Sequence, residues 1–468
     1  MFCNDRVLLL CGLSALLISC GCNDSGTHSN YVPPEQSGED PGDAASADAA
    51  PQIAATENVA TDGPSTEQDG TATKGVVVFQ PGPDAQKQVL EELILAEPGT
   101  VFQFEEGVFH FTDGLSLTVD NVTIRGRGMD KTVLSFKQQE AGAEGLYITS
   151  NRVTVEDLAI EDTKGNAIKS LKADDIVYRR VRTEWTGGPL ATNGAYGIYP
   201  VSSNNVLIEE SVAIGASDSG IYVGQSKNVI VRNCRAAFNV AGIEIENCHG
   251  ADVYGNEATN NTGGILVFDM PDLPQQKGHD IRVFKNKVFD NNTQNFAPKG
   301  NIVGTVPTGT GVMVMANSNV EIFENDIRDH GTTNMLLVSY LVANIEIKDP
   351  NYYPYTEKIH VHNNTFGPCG NKPAGAGGML IQAVLSTPIP DVVWDGVVNP
   401  EKVVDGKLAT DAGISVRGNS KDEGEVTFAS LGGLASLADP ANAGPDRNIA
   451  NYAEVFPSIE PVVISGVE

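Results

Sequence analysis

Glu244 and Glu246 stand two residues apart in the alternating run Gly242-Ile-Glu-Ile-Glu-Asn247. In a strand, residues two apart share a face and lie roughly 6–7 Å from each other along the chain. Paired carboxylates at that distance suit acid–base attack on a glycosidic bond. Asp218 comes just before a sister phrase, Gly220-Ile-Tyr-Val. From the turn bordering the same face it would be a general base, a Ca²⁺ ligand or only a turn residue. Lys169, Tyr199 and Tyr222 hold the matching outward place in their own phrases. The outward residue two after each glycine makes a column of Tyr147, Lys169, Tyr199, Tyr222, Glu244, Leu266 and Met313, with Glu246 and Phe268 beside it. Tyrosines give sugar rings flat, amphipathic surfaces. A charged, half-aromatic face is also what any solvated strand surface offers.

The column exists only if the phrase repeats as a coil. Gly-apolar-x-apolar recurs at Gly220, Gly242 and Gly264, 22 residues apart each time. It returns at Gly145, Ala167, Gly197 and Gly311, and again at Gly378-Met-Leu-Ile. A fixed period of this length is the signature of a solenoid. Each period holds two short β-branched runs, such as Ile221 to Val223 and Val229 to Val231, with no crossover helix between them. That pattern predicts strands stacking coil on coil rather than an α/β sheet. The longer gaps are insertions: 184–196, 269–280 and 291–310. Insertions in a solenoid gather on one face, and these are expected to wall a cleft over the column. Trp185 stands in the first of them, as a sugar platform or a loop anchor.

A second register follows the second strand of each coil. Ser211, Cys234, Asn256, Asn286, Asn325 and Asn364 share this place. Stacked inward asparagines bind turn backbone and each other, a structural role. At the N-terminal end, Asp84 to Ala96 reads as an amphipathic helix with an apolar stripe of Val89, Leu90, Leu93 and Ile94, capped by Asp84. It would cover the open edge of the first coil.

These coils, the asparagine ladder and the capping helix resemble the right-handed parallel β-helix proteins of the pectate-lyase-like group, over roughly Gly75 to Gln382. Within the group the chain is most similar to exported bacterial parallel β-helix repeat-containing proteins. The resemblance implies an all-β fold, a single right-handed parallel β-helix with an N-terminal capping helix. It supplies no catalytic residue. The polygalacturonase set of Asn-Thr-Asp, Asp-Asp and Gly-His-Gly is missing, as are the arginine arrangement of pectate lyases and the Asp-Pro-His of alginate epimerases.

Residues 1–19 hold Arg6, then the apolar run Val7 to Ser19, which is too short for a permanent span and fits a signal peptide. Leu17-Ile-Ser-Cys20 resembles a bacterial lipobox, so lipidation of Cys20 is expected. An ordinary secretory signal, with Cys22 or neither cysteine modified, is the alternative. By resemblance to Gram-negative lipoproteins, Gly21 after the cysteine implies the outer membrane. Residues 20–73 have ten acidic residues and no Lys or Arg, the composition of a disordered tether. The net charge of −29 excludes nucleic acid as a partner and repels polyanionic sugars unless Ca²⁺ intervenes. Cys234, Cys248 and Cys369 show no metal-ligand spacing, and the residues identify no cofactor or metal site. The β-helix is expected over 74–384, and prolines then break residues 385–468 into a cap and an extended tail. The resulting expectation is a monomeric, envelope-anchored protein that takes a polysaccharide, as a lyase, hydrolase or epimerase acting at Glu244, Glu246, Asp218 and Lys169. A non-catalytic scaffold or accessory protein is the competing class.

Overall fold

Glycine-phased apolar runs become strands because alternate side chains find a core inside the coil. The computed structural model describes residues 75–405, 407–432 and 444–467. The signal peptide, Cys20 and the acidic tether therefore lie outside the described residues. Eleven strands form one sheet: β1 (Asp113–Leu117), β2 (Ala141–Ile148), β3 (Ile168–Leu171), β4 (Tyr196–Val201), β5 (Ser219–Gly224), β6 (Ala241–Glu246), β7 (Gly263–Phe268), β8 (Thr310–Met315), β9 (Thr333–Val338), β10 (Val392–Trp394) and β11 (Phe428–Ser430). Each pairs in parallel with the strand one coil away, so Tyr222 faces Glu244, Glu244 faces Leu266 and Leu266 faces Met313.

The rest of each coil feeds a 21-stranded parallel sheet. Each full coil carries three strands. The third, such as Arg235–Ala237 or Glu257–Thr259, is only three residues long, too short to show as a run of its own. Ile221, Val223, Val229, Val231 and Ala236 point into the coil and are fully buried. Burying each larger side chain of this kind contributes about 1.5–3 kcal/mol.

Asparagines close the turns. Asn286 Oδ1 accepts from Asn256 N and Nδ2, each at 3.0 Å, and Asn256 Nδ2 also donates to Val231 O at 2.9 Å. The same contacts link Asn286 to Asn325, Asn325 to Asn364 and Asn364 to Asn419. Ser211 Oγ accepts from Val181 N, and Cys234 N donates to Asn256 Oδ1. A second ladder, which the pattern reading missed, runs through Asn239, Asn261 and Asn291 to His330. It explains the glycines. A Cβ on Gly220 would sit 2.5 Å from Asn239 Nδ2, and one on Gly242 would sit 2.6 Å from Gly264 O and 2.8 Å from Asn261 Nδ2.

Four expectations change. The solenoid runs past residue 384, through β10 and β11 and the pairing of Ile359–His362 with Ile414–Arg417. Gly378-Met-Leu-Ile is not a coil strand but part of helix α2 (Gly375–Leu385), whereas the coil strand near it is β9, where Asn334 stands in the glycine's place. In the capping helix α1 (Ala85–Ile94), Ala85, Val89 and Leu93 are buried but Ile94 is 81% exposed. Asp84 makes no side-chain cap there. The tail crosses the outside of the large sheet in extended form: Ile459 N donates to Glu321 Oε2 (3.1 Å), Val462 N to Asp252 Oδ2 (3.3 Å), and Ile464 packs on Leu207 and Ile230.

Candidate functional site

Register alone brings the predicted acids together. On β4 to β7 one outward row holds Tyr199, Tyr222, Glu244 and Leu266, and the next holds Val201, Gly224, Glu246 and Phe268. A third row, of Tyr196, Ser219 and Ala241, borders them. Gly224 leaves room for its neighbour: a Cβ there would lie 2.5 Å from the Tyr222 ring. Tyr222 therefore leans over Gly224 and brings its hydroxyl 2.5 Å from Glu246 Oε1. Ser219 Oγ lies 3.0 Å from Asp218 Oδ1 and also touches Glu244 Oε2. One hydroxyl carries one proton. Both contacts are hydrogen bonds only when one of the two carboxyls is protonated and donates back to Oγ. Asn301, from the 291–310 insertion, donates to Asp218 Oδ2 at 3.2 Å.

Among the described residues, none of Asp218, Glu244 and Glu246 forms an ion pair with a lysine, arginine or histidine. Burial pushes Glu246 up to about 7, against the lowering effect of Tyr222, and the charges of Asp218 and Asp269 add to the rise. Burial likewise raises Asp218 to about 6. Glu244 is 1% exposed, its Oε1 has no hydrogen-bond partner, and burial with the Asp218 and Glu246 charges raises it well above the usual carboxylate range. The cluster therefore holds protons at neutral pH. Asp269 joins its edge, raised to about 6 by burial, with Oδ1 accepting from Gly278 N.

The tyrosines form the open side. Tyr196 and Tyr199 are half-buried, and their rings lie 4.5 Å apart, each within 5 Å of the buried Tyr222 ring. Lys169 is half-exposed, 5.3 Å from the Tyr199 ring centre and 3.8 Å from Glu144. It sits across the tyrosines from the carboxylates and does not touch them.

Residues 106–272 match the family model described as the right handed beta helix region. The chain is a right-handed parallel β-helix protein. Among solved structures, the A-module of mannuronan C-5 epimerase AlgE4 from Azotobacter vinelandii is similar at 16% identity and TM-score 0.49, over 75% of this chain and 94% of that one. Alginate lyase from Paenibacillus sp. is similar at 14% identity and TM-score 0.42, over 75% and 97%. The family 28 exopolygalacturonase of Yersinia enterocolitica is similar at 10% identity and TM-score 0.44, over 75% of each chain. Likeness at this level says nothing of chemistry. No curated protein matches the sequence.

On this β-helix protein the insertions do not wall an open cleft; they roof the middle of the column. Val303 and Val306 pack with Leu266, Phe268, Met313 and Met315 in an apolar cluster outside the coil. Phe268 is 0% exposed and so offers no face to a ligand. Tyr222 is buried too, and its polar end is committed to Glu246. Trp185 is a loop anchor: its ring is buried and its indole N–H donates to Thr163 O at 2.8 Å. The pattern reading missed Tyr196, Ser219 and Asn301. The first two lie just before their glycines, where the strand begins one residue earlier than the phrase suggests, and Asn301 comes from a loop with no period.

Proposed function

We propose that this protein binds an uncharged polysaccharide along the β3 to β5 face and acts on it by acid–base chemistry, with Glu246 reaching in from the adjoining β6. The observation that carries the reading is the convergence of Asp218, Glu244 and Glu246, without a cation, beside the half-buried Tyr196 and Tyr199. Carboxyls kept protonated near neutral pH can donate to a leaving oxygen. Glu246 is the acid in this reading, held in place by Tyr222. Asp218, the least raised of the three, is the base or nucleophile. Tyr199 and Tyr196 stack a sugar ring, and Lys169 binds hydroxyls at the far end of the tyrosine patch. The absence of a positive charge on the acids favours a neutral glycan, because a uronate would meet like charge.

Glu244 at 1% exposure favours a second reading, a non-catalytic scaffold whose carboxyls lock the insertion through Ser219 and Asn301. One experiment separates the two. The mature protein is screened against neutral and acidic polysaccharides, with and without Ca²⁺, for binding and for product release. Turnover lost in Glu246→Gln supports the enzyme. Binding without turnover leaves the scaffold, and no binding across a broad panel ends the carbohydrate reading.

Location follows from the N-terminal sequence. We propose export, lipidation at Cys20 and a tether of residues 20–73 that holds the β-helix off an outer membrane. Incorporation of labelled palmitate into the wild type and its loss in Cys20→Ser is the expected result. Equal labelling of both would end the anchor reading.

A further inference from the structure

On another face of the solenoid, His360 and His362 lie two apart on the strand Glu357–His362, and Glu321 faces His360 across the sheet. Residues two apart on a strand project together, so all three side chains meet on the outer surface. Glu321 Oε1 is 3.0 Å from His362 Nε2 and 4.0 Å from His360 Nδ1, and the two imidazole rings are 4.1 Å apart. Two atoms bound at about 2.1 Å to a tetrahedral ion lie about 3.4 Å from each other. The observed separations straddle that value.

His360 supplies an independent observation. It is 3% exposed, yet neither of its ring nitrogens has a hydrogen-bond partner. A buried imidazole with two unmet nitrogens is costly unless something else binds it. His362 is held by stacking on Phe323, with ring centres 5.3 Å apart and planes within 2°. The other groups facing the cluster are Ser415 and Arg417 on the next coil and Arg282 on the previous one, which pairs with Asp252 one coil further back. The tail lies over it: Ile459 N donates to Glu321 Oε2, and the Phe456 ring centre is 5.9 Å from that of His360.

We infer that Glu321, His360 and His362 form a site for a divalent transition metal of the zinc class, which fastens the C-terminal tail to the solenoid. Two imidazoles and one carboxylate select such ions over Ca²⁺ or Mg²⁺, which prefer oxygen. The fourth position falls toward the tail.

The test uses the mature protein stripped with chelator and titrated with Zn²⁺ by calorimetry. One ion per chain with a Kd of about 1 μM or below is expected, with affinity falling at least about 100-fold in His360→Ala and in His362→Gln. Co²⁺ should give the visible absorption of a tetrahedral ion in the wild type alone. Zn²⁺ should slow deuterium exchange at Glu454 to Ile464, and chelator should reverse this. If His360→Ala does not fold, Glu321→Gln, checked by circular dichroism, serves in its place. Equal binding by wild type and variants, or no binding of Zn²⁺, Co²⁺ or Ni²⁺, would overturn the site. Binding that leaves tail exchange unchanged would overturn the fastening.

Discussion

Tyr222 sets its phenolic oxygen 2.5 Å from Glu246 Oε1, and Gly224 leaves the space for it to do so. The bond stabilises the carboxylate and opposes the rise that burial imposes. Tyr222→Phe keeps the ring and removes only the donor, so Glu246 should rise above its value of about 7. A ¹³C-carboxyl titration should show the midpoint moving up by about one unit, the scale of one hydrogen bond to a charged group. An unchanged or lowered midpoint would show that the bond does not govern this proton.

The same cluster fixes how stability follows pH. Glu246 goes from an ordinary 4.5 to about 7, and Asp218 from 3.8 to about 6. Each binds its proton more tightly in the folded protein. Its stabilising share is complete below the ordinary value and is lost as pH rises through the folded one. For Glu246 that share is on the order of 3 kcal/mol. Glu209, lowered on balance because the Arg179 and Arg232 hydrogen bonds outweigh its burial, acts in the opposite sense at lower pH. Thermal unfolding should therefore peak near pH 5 and fall by roughly 5 °C toward pH 8. Glu246→Gln should unfold at higher temperature than wild type at pH 8 and flatten the slope. A wild type equally stable at pH 5 and pH 8 contradicts this.

What could be read in advance depended on what repeats. Gly220, Gly242 and Gly264 mark the coils because each lies against a stacked asparagine and a carbonyl, leaving no room for a Cβ. That constraint writes itself into the sequence. At β9 the position is Asn334, which donates to Gly367 O and takes up the ladder itself, so the glycine mark disappears there and only the Asn325–Asn364 register still phases the coil. The acids fell into place because Glu244 and Glu246 occupy regular outward rows. Their burial did not, because the roof is made by Val303, Val306 and Asn301, on and flanking a single 3₁₀ turn (Ile302–Thr305) too short to leave a repeating pattern. The histidine cluster was within reach of the same register: Asn325 and Asn364 lie 39 residues apart, as Glu321 and His360 do, and carrying that spacing four residues back along the strands aligns the carboxylate with the imidazole.

Asn286 has every side-chain hydrogen bond it can use in the ladder. Its Nδ2 donates to Val253 O and Asn325 Oδ1, both at 2.9 Å, and its Oδ1 accepts twice from Asn256. Asn286→Ala takes the side-chain partner from Asn256 N and Val253 O and one of two bonds from Asn256 Nδ2 and Asn325 Oδ1, and each buried group left unmet costs about 1–3 kcal/mol. A loss of about 3–5 kcal/mol in urea unfolding is expected. A loss under about 1 kcal/mol would mean that water replaces the amide and that the ladder contributes little.

Phe268 and Tyr199 lie on neighbouring outward rows but should answer differently to truncation. Phe268 is enclosed by the roofing loop, with no exposed surface. Tyr199 is half-buried, with burial pushing its hydroxyl up to about 12, so it presents a neutral, hydrogen-bonding phenol at the open edge. Phe268→Ala should cost about 3–5 kcal/mol of stability, because a large cavity opens under the roof. It should leave the affinity of any bound oligosaccharide within about twofold in the protein that remains folded. Tyr199→Ala should cost under about 1 kcal/mol of stability and lower that affinity at least about tenfold, the scale of one lost stacking platform. Chemical denaturation and calorimetry on the two variants decide the matter. If Phe268→Ala lowers affinity and Tyr199→Ala does not, the ligand lies under the roof and the β3 to β5 face is not the site.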